Sequence, residues 1–162
     1  MYTGFSLNYH SFYYDKRLND FGRKVRKKYV KTTVIVDGKL QIIVSFNVHF
    51  GEIHDSKEFE KILENIDKEL VGKFRIIIGD KGCDSEENHV IAKRYGLFAI
   101  TPARDEDIPI HRTKGEDRKR MKRYLPEEYK RRSIVETVHS VLKRKSCSYV
   151  RSRIPEVAEK EI

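Results

Sequence analysis

Cysteine is scarce in this chain. Cys83 and Cys147 are the only two in 162 residues, and neither has a C-x-x-C partner or a histidine at zinc spacing. The sequence therefore offers neither a disulfide framework nor a zinc site. No apolar run approaches the roughly 20 residues that would span a bilayer, and no amphipathic anchor accompanies the charge, so no membrane partner is expected. The opening residues M-Y-T-G-F-S-L-N-Y-H show no charged region followed by an apolar one. Without a secretory leader the cytoplasm is the expected compartment. Internal repeats are also missing, and the length suits one domain with one core.

Charge, by contrast, is plentiful. The net charge is +9, from 34 Lys and Arg against 25 Asp and Glu. Its placement is uneven: residues 112–153 carry 15 basic and 5 acidic side chains, and residues 16–31 carry 8 and 1. The remainder is net acidic. Basic segments beside acidic strands and helices suit an enzyme acting on nucleic acid better than a uniformly coated packaging protein.

Patterning gives an alternation of strands and helices. T-T-V-I-V-D-G-K-L-Q-I-I-V-S-F-N-V-H-F reads as a hairpin, strands near 32–36 and 39–49, around a two-residue Asp37-Gly38 turn. Phe59, Ile62, Leu63, Ile66 and Leu70 recur at helical spacing, with Asp55 or Ser56 as the cap. K-F-R-I-I-I-G-D-K-G is an almost wholly apolar run ending at Asp80, the pattern of a central strand buried on both faces. A helix follows from about Ser85 to Tyr95, with D-S-E-E making Asp84 its expected cap, and then the strand L-F-A-I-T-P. Residues 104–123 read as a polar, basic loop, and Pro126 opens a last helix to about Lys145. Residues 1–30 show no convincing strand, only an aromatic and basic stretch whose Phe12, Tyr13 and Tyr14 could stack bases or pack a core. The whole implies an α/β fold with a mixed sheet flanked by helices.

Chemistry concentrates in Y-K-R-R-S-I-V-E-T-V-H-S-V-L-K, residues 129–143. On a helical wheel Ile134, Val135, Val138, Val141 and Leu142 form an apolar face. Tyr129, Arg132, Glu136, His139 and Lys143 share a polar stripe on the opposite side. One reading is a solvated face with an Arg132–Glu136 ion pair worth about 0.3 to 0.5 kcal/mol. The spacing Y-x2-R-x3-E-x6-K supports a more specific one.

That string resembles the Tyr-Arg-Glu-Lys signature of DDE-type insertion-sequence transposases. I-I-I-G-D-K-G-C-D-S resembles the family's block around its second catalytic Asp, G-E-I-H-D-S another recurrent block, and T-G-F-S-L-N-Y-H the segment after the first catalytic Asp. The resemblance runs from about Thr3 to Lys143. It implies a ribonuclease H-like fold over residues 1–150, with residues 151–162 a tail. It also implies Mg2+-dependent cleavage and joining of DNA strands, with transposon ends and target DNA as partners.

Two Mg2+ ions about 3.5 to 4 Å apart would serve the attacking and leaving oxygens, and hard cations want carboxylate ligands. The resemblance makes Asp80 and Glu136 catalytic metal ligands and sets Tyr129, Arg132 and Lys143 on DNA. A strand-end turn would also account for Asp80. His54 and Asp55 are explained by capping, and His139 is a neighbour of the phosphates. The family's first catalytic Asp stands two residues before Thr-Gly-Phe, a position held here by Met1. Asp37 is a turn residue and no substitute. The first strand and its acid are therefore expected to be missing, as in an amino-terminally truncated and inactive copy, whose unpaired strand edges would favour a homo-oligomer. A ribonuclease H-like nuclease or resolvase, or a basic DNA-binding protein without catalysis, are the alternatives.

Overall fold

The hairpin forms with a longer first arm, a shorter second arm and a wider turn than Asp37-Gly38 implies. In this computed structural model, which describes residues 2–7, 17, 20, 29–51, 54–146, 149–151 and 155–161, strand β2 spans Tyr29–Val36 and β3 spans Ile43–Phe50. The Asp37 carboxylate accepts from the backbone N–H of Lys39 at 2.7 Å and of Leu40 at 2.8 Å, an Asx turn. The chain then reverses through Gln41 in the left-handed region, φ 57°. Asp37 is a turn residue, as its sequence context implies.

The chain divides into two units, chiefly Thr33–Asn47 with Ile53–Val138, and Tyr2–Thr32 with Val48–Glu52 and His139–Ile162. In the first unit, Phe59 and Leu63 of helix α1 (Asp55–Glu64) pack with Ile91, Ala92, Leu97 and Ala99 into one apolar core. Ser45 of β3 donates to the Ile62 carbonyl at 2.9 Å, tying the hairpin to α1. The N-cap of α1 is His54, without a side-chain cap bond, rather than Asp55 or Ser56. A single helix through Leu70 does not form. Asp67 instead accepts from Glu69 N–H at 2.9 Å and starts a separate turn, α2 (Lys68–Val71).

Strands β4 (Ile76–Ile78) and β5 (Phe98–Ile100) pair in parallel, Ile77 opposite Ala99. β4 is neither central nor buried on both faces. Among the described residues it pairs with β5 alone, and while Ile77 packs on the core, Ile76 points the other way and is 42% exposed. Between them lies α3 (Glu86–Arg94), capped by Ser85, whose hydroxyl accepts from Asn88 N–H at 3.1 Å. The cap is therefore Ser85 and not Asp84. Residues 104–123 are not a loop throughout: they contain a 3-10 turn at Ile110–Arg112 and helix α4 (Glu116–Arg123). Glu86 of α3 accepts from the N–H groups of Asp117 at 3.3 Å and Arg118 at 3.2 Å, so the open end of α4 is satisfied by a neighbouring helix.

Strand β1 (Tyr2–Leu7) overturns the expectation of a strandless start. In the second unit it lies beside β2 and pairs in parallel with β6 (Tyr149–Val150), in the strand order β3-β2-β1-β6. Gly4 hid this strand from a pattern search, and a Cβ there would stand 3.3 Å from the Tyr29 ring. Phe5, Val30, Val150 and Ala158 make the core. Ala158 comes from helix α6 (Pro155–Lys160), whose Glu159 accepts from Phe50 N–H at 2.8 Å, so residues expected as a tail are built into this unit. Phe12, Tyr13 and Tyr14 lie outside the described residues. Parallel strands, a hairpin and flanking helices make the mixed α/β fold expected, compatible with a ribonuclease H-like arrangement.

Candidate functional site

Asp80 follows directly on β4 and its Gly79. Gly79 permits close packing against Thr101 and Cys83, because a Cβ there would stand 2.8 Å from Thr101 Cγ2 and 3.1 Å from Cys83 Cβ. Asp80 caps the 3-10 turn Lys81–Cys83 through one oxygen, Oδ1, which accepts from Lys81 N–H at 2.8 Å. Its other oxygen, Oδ2, faces the Arg132 guanidinium. The turn-residue and site readings of Asp80 are therefore compatible.

Pro126 opens a 3-10 segment, Glu127–Arg132, and the α-helix proper, α5, begins at Ser133 and runs to Ser146. Tyr129 N–H donates to the Pro126 carbonyl at 3.1 Å, the three-residue spacing of the tighter helix. The single α-helical wheel from Tyr129 to Lys143 therefore does not hold. His139 is buried rather than part of a polar stripe, and Ile134, Val135, Val138, Val141 and Leu142 are half-buried.

The change of pitch leaves the Arg132–Glu136 pair intact. Arg132 Nη2 donates to Glu136 Oε1 at 2.5 Å, while its Nη1 lies 3.5 Å from Asp80 Oδ2. Two carboxylates far apart in sequence thus meet at one guanidinium. Tyr129 belongs to the same cluster. Burial pushes its hydroxyl above the usual tyrosine value, the charges of Asp80 and Glu136 add to the rise, and Arg132 and Lys81 oppose it.

Lys81 is a member that pattern reading passed over, although it stands next to Asp80. It donates to Glu106, and that hydrogen bond holds it above the usual lysine range and Glu106 below the usual carboxylate range. Lys143 lies in the second unit, its Nζ 5.8 Å from the centre of the Phe5 ring, within cation–π range.

Asp84 has a role that its sequence context concealed. Its side chain is fully buried and accepts from Arg118 Nε at 2.9 Å and Nη2 at 2.8 Å, and from Arg104 N–H at 2.8 Å. Burial alone would raise its pKa, but the Arg118 and Arg104 hydrogen bonds prevail and hold it below the usual carboxylate value. The clamp fixes α4 beside the turn that carries Asp80.

Among the described residues no group of three or more His, Cys, Asp or Glu side chains is arranged to hold a metal ion. Asp80 and Glu136 nevertheless fit a hard divalent cation. Both are carboxylates, both already face a positive charge, and Mg2+ commonly takes one or two carboxylates and completes its shell with water and phosphate. No helix among the described residues is long and apolar enough to cross a membrane.

No curated protein and no solved structure matches the chain. The family model for the transposase DDE domain matches residues 6–162, a span that includes Asp80, Tyr129, Arg132, Glu136 and Lys143. The chain belongs to the transposase DDE domain family.

Proposed function

We propose that this chain forms the catalytic domain of an insertion-sequence transposase, in which Asp80 and Glu136 hold Mg2+ for cleavage and joining of DNA strands. The observation that carries the reading is the convergence of both carboxylates on Arg132. When bound, the metal supplies Lewis-acid stabilisation of the oxygens at the reacting phosphodiester. The chain's own groups do the rest. Arg132 binds phosphate oxygens through its planar fork, Tyr129 positions a DNA end by its hydroxyl or ring, and Lys143 adds a phosphate contact farther along the helix. The basic stretch of residues 112–153 supplies sequence-independent attraction to the backbone. Exposed Leu40, Ile42 and Phe46 on the hairpin support self-association of the chain.

Position 1 is Met where the family resemblance calls for the first catalytic Asp. With Met in place of an acid at that position, these 162 residues bind metal and DNA but do not cut. Incubation with supercoiled plasmid and Mg2+ tests this: intact plasmid is expected, and nicked or joined products would contradict it. A magnesium titration tests the site, since Asp80→Asn and Glu136→Gln each weaken binding if the two acids are ligands. Unchanged binding in both would instead favour a basic DNA-binding protein whose Glu136 only pairs with Arg132.

A further inference from the structure

Arg132 stands where the site needs positive charge. Its two terminal nitrogens are divided between the acids, Nη2 to Glu136 Oε1 at 2.5 Å and Nη1 to Asp80 Oδ2 at 3.5 Å. Each acid has one oxygen engaged in this way, and the second oxygen of Asp80 caps the turn at Lys81. The guanidinium therefore faces the same carboxylate oxygens that a shared cation would take. Arginine cannot give up its proton, so this charge leaves only when the side chain moves. At about one-quarter exposed, the Arg132 side chain has solvent on one side into which to swing.

We infer that Arg132 is a positioning residue that occupies the space between Asp80 and Glu136 in place of a divalent cation, and that cation binding expels it toward the DNA phosphate. The inference rests on the reading of the two acids as metal ligands and adds a competition to it. Holding two like charges together costs repulsion, which the guanidinium relieves, so the site stays assembled before metal enters. The same contact must be broken on metal entry, so it lowers metal affinity. Once displaced, the fork is free for a phosphate. Metal binding and arginine delivery to DNA thus become one event, linked reciprocally.

Two features separate this role from a structural one. A structural arginine, when removed, loosens the site and weakens metal binding. A competing arginine, when removed, strengthens it. Loss of nearby positive charge would also favour a cation in a general way, and Arg131 controls for that. It is the adjacent, exposed cation, and changing it alters net charge equally.

The test is Mn2+ binding to the whole chain without DNA, followed by the paramagnetic resonance of free Mn2+. Arg132→Gln is expected to bind Mn2+ roughly fivefold or more tightly than the unaltered chain, the effect of releasing two ion pairs of ordinary strength. Arg131→Gln is expected to change affinity by less than about twofold, in line with a screened surface charge. Arg132→Lys, a point charge that cannot fork across both acids, should fall between. Equal or weaker binding by both Arg132 variants would overturn the inference while leaving the metal-site reading in place, provided Asp80→Asn still weakens binding. If Asp80→Asn and Glu136→Gln bind Mn2+ as the unaltered chain does, the metal-site reading fails and the inference falls with it.

Discussion

Arg118 grips Asp84 with two nitrogens, Nε at 2.9 Å and Nη2 at 2.8 Å, across 34 positions of sequence. The carboxylate is fully buried, so removing its partner leaves a charge stranded in the interior. Arg118→Ala is expected to destabilise the chain by about 3 kcal/mol, the lower end for a broken buried pair because Arg118 keeps some contact with water. Urea unfolding monitored by circular dichroism measures it. A loss no larger than that of an exposed pair would show that the clamp does not hold α4.

Acid should weaken the fold in two stages. Burial, opposed by the charges of Asp117, Glu86 and Asp84, lowers the pKa of His89 below its ordinary 6.5. The unfolded chain therefore takes up a proton there that the folded chain refuses, and stability declines as pH falls below about 6.5. Asp84 is also lowered, from an ordinary 3.8, so its contribution is present above that value and disappears as pH falls through the lower folded value. Melting temperature recorded from neutral pH to strong acid should show both declines. His89→Gln should lose the upper one and Asp84→Asn the lower.

Gly115 is a backbone requirement of α4. Its φ is 91°, and a Cβ there would stand 2.0 Å from Glu86 Oε2, the oxygen that accepts from Arg118 N–H. Gly115→Ala is expected to cost about 1 to 3 kcal/mol from backbone strain, with the loss of the Glu86 cap on top. Amide exchange resolved at Asp117 and Arg118 would report it, with faster exchange expected at both. Unchanged exchange would mean that the helix start does not depend on Glu86.

What the sequence made legible is what it encodes locally. Arg132 and Glu136 sit four residues apart and meet whether the segment before them is 3-10 or α, so the pair survived an incorrect helix start. The core of α1 was readable because Phe59, Ile62 and Leu63 repeat at helical period. Asp84 was misread because D-S-E-E is a sound local cap, and nothing nearby announces Arg118. Helix α4 was missed for the same reason: the group that satisfies its first amides, Glu86, belongs to another helix. Strand β1 was missed because Gly4 breaks the apolar alternation to make room for the Tyr29 ring. In each case the deciding contact is long-range.

The central claim is that Asp80 and Glu136 hold one and the same ion. Iron-directed cleavage tests it most directly: Fe2+ bound in place of Mg2+, with ascorbate and peroxide, cuts the backbone beside its ligands. Cuts near both Asp80 and Glu136, suppressed together by excess Mg2+ and lost together in Asp80→Asn, are the expected result. A cut near Glu136 that persists in Asp80→Asn would contradict it.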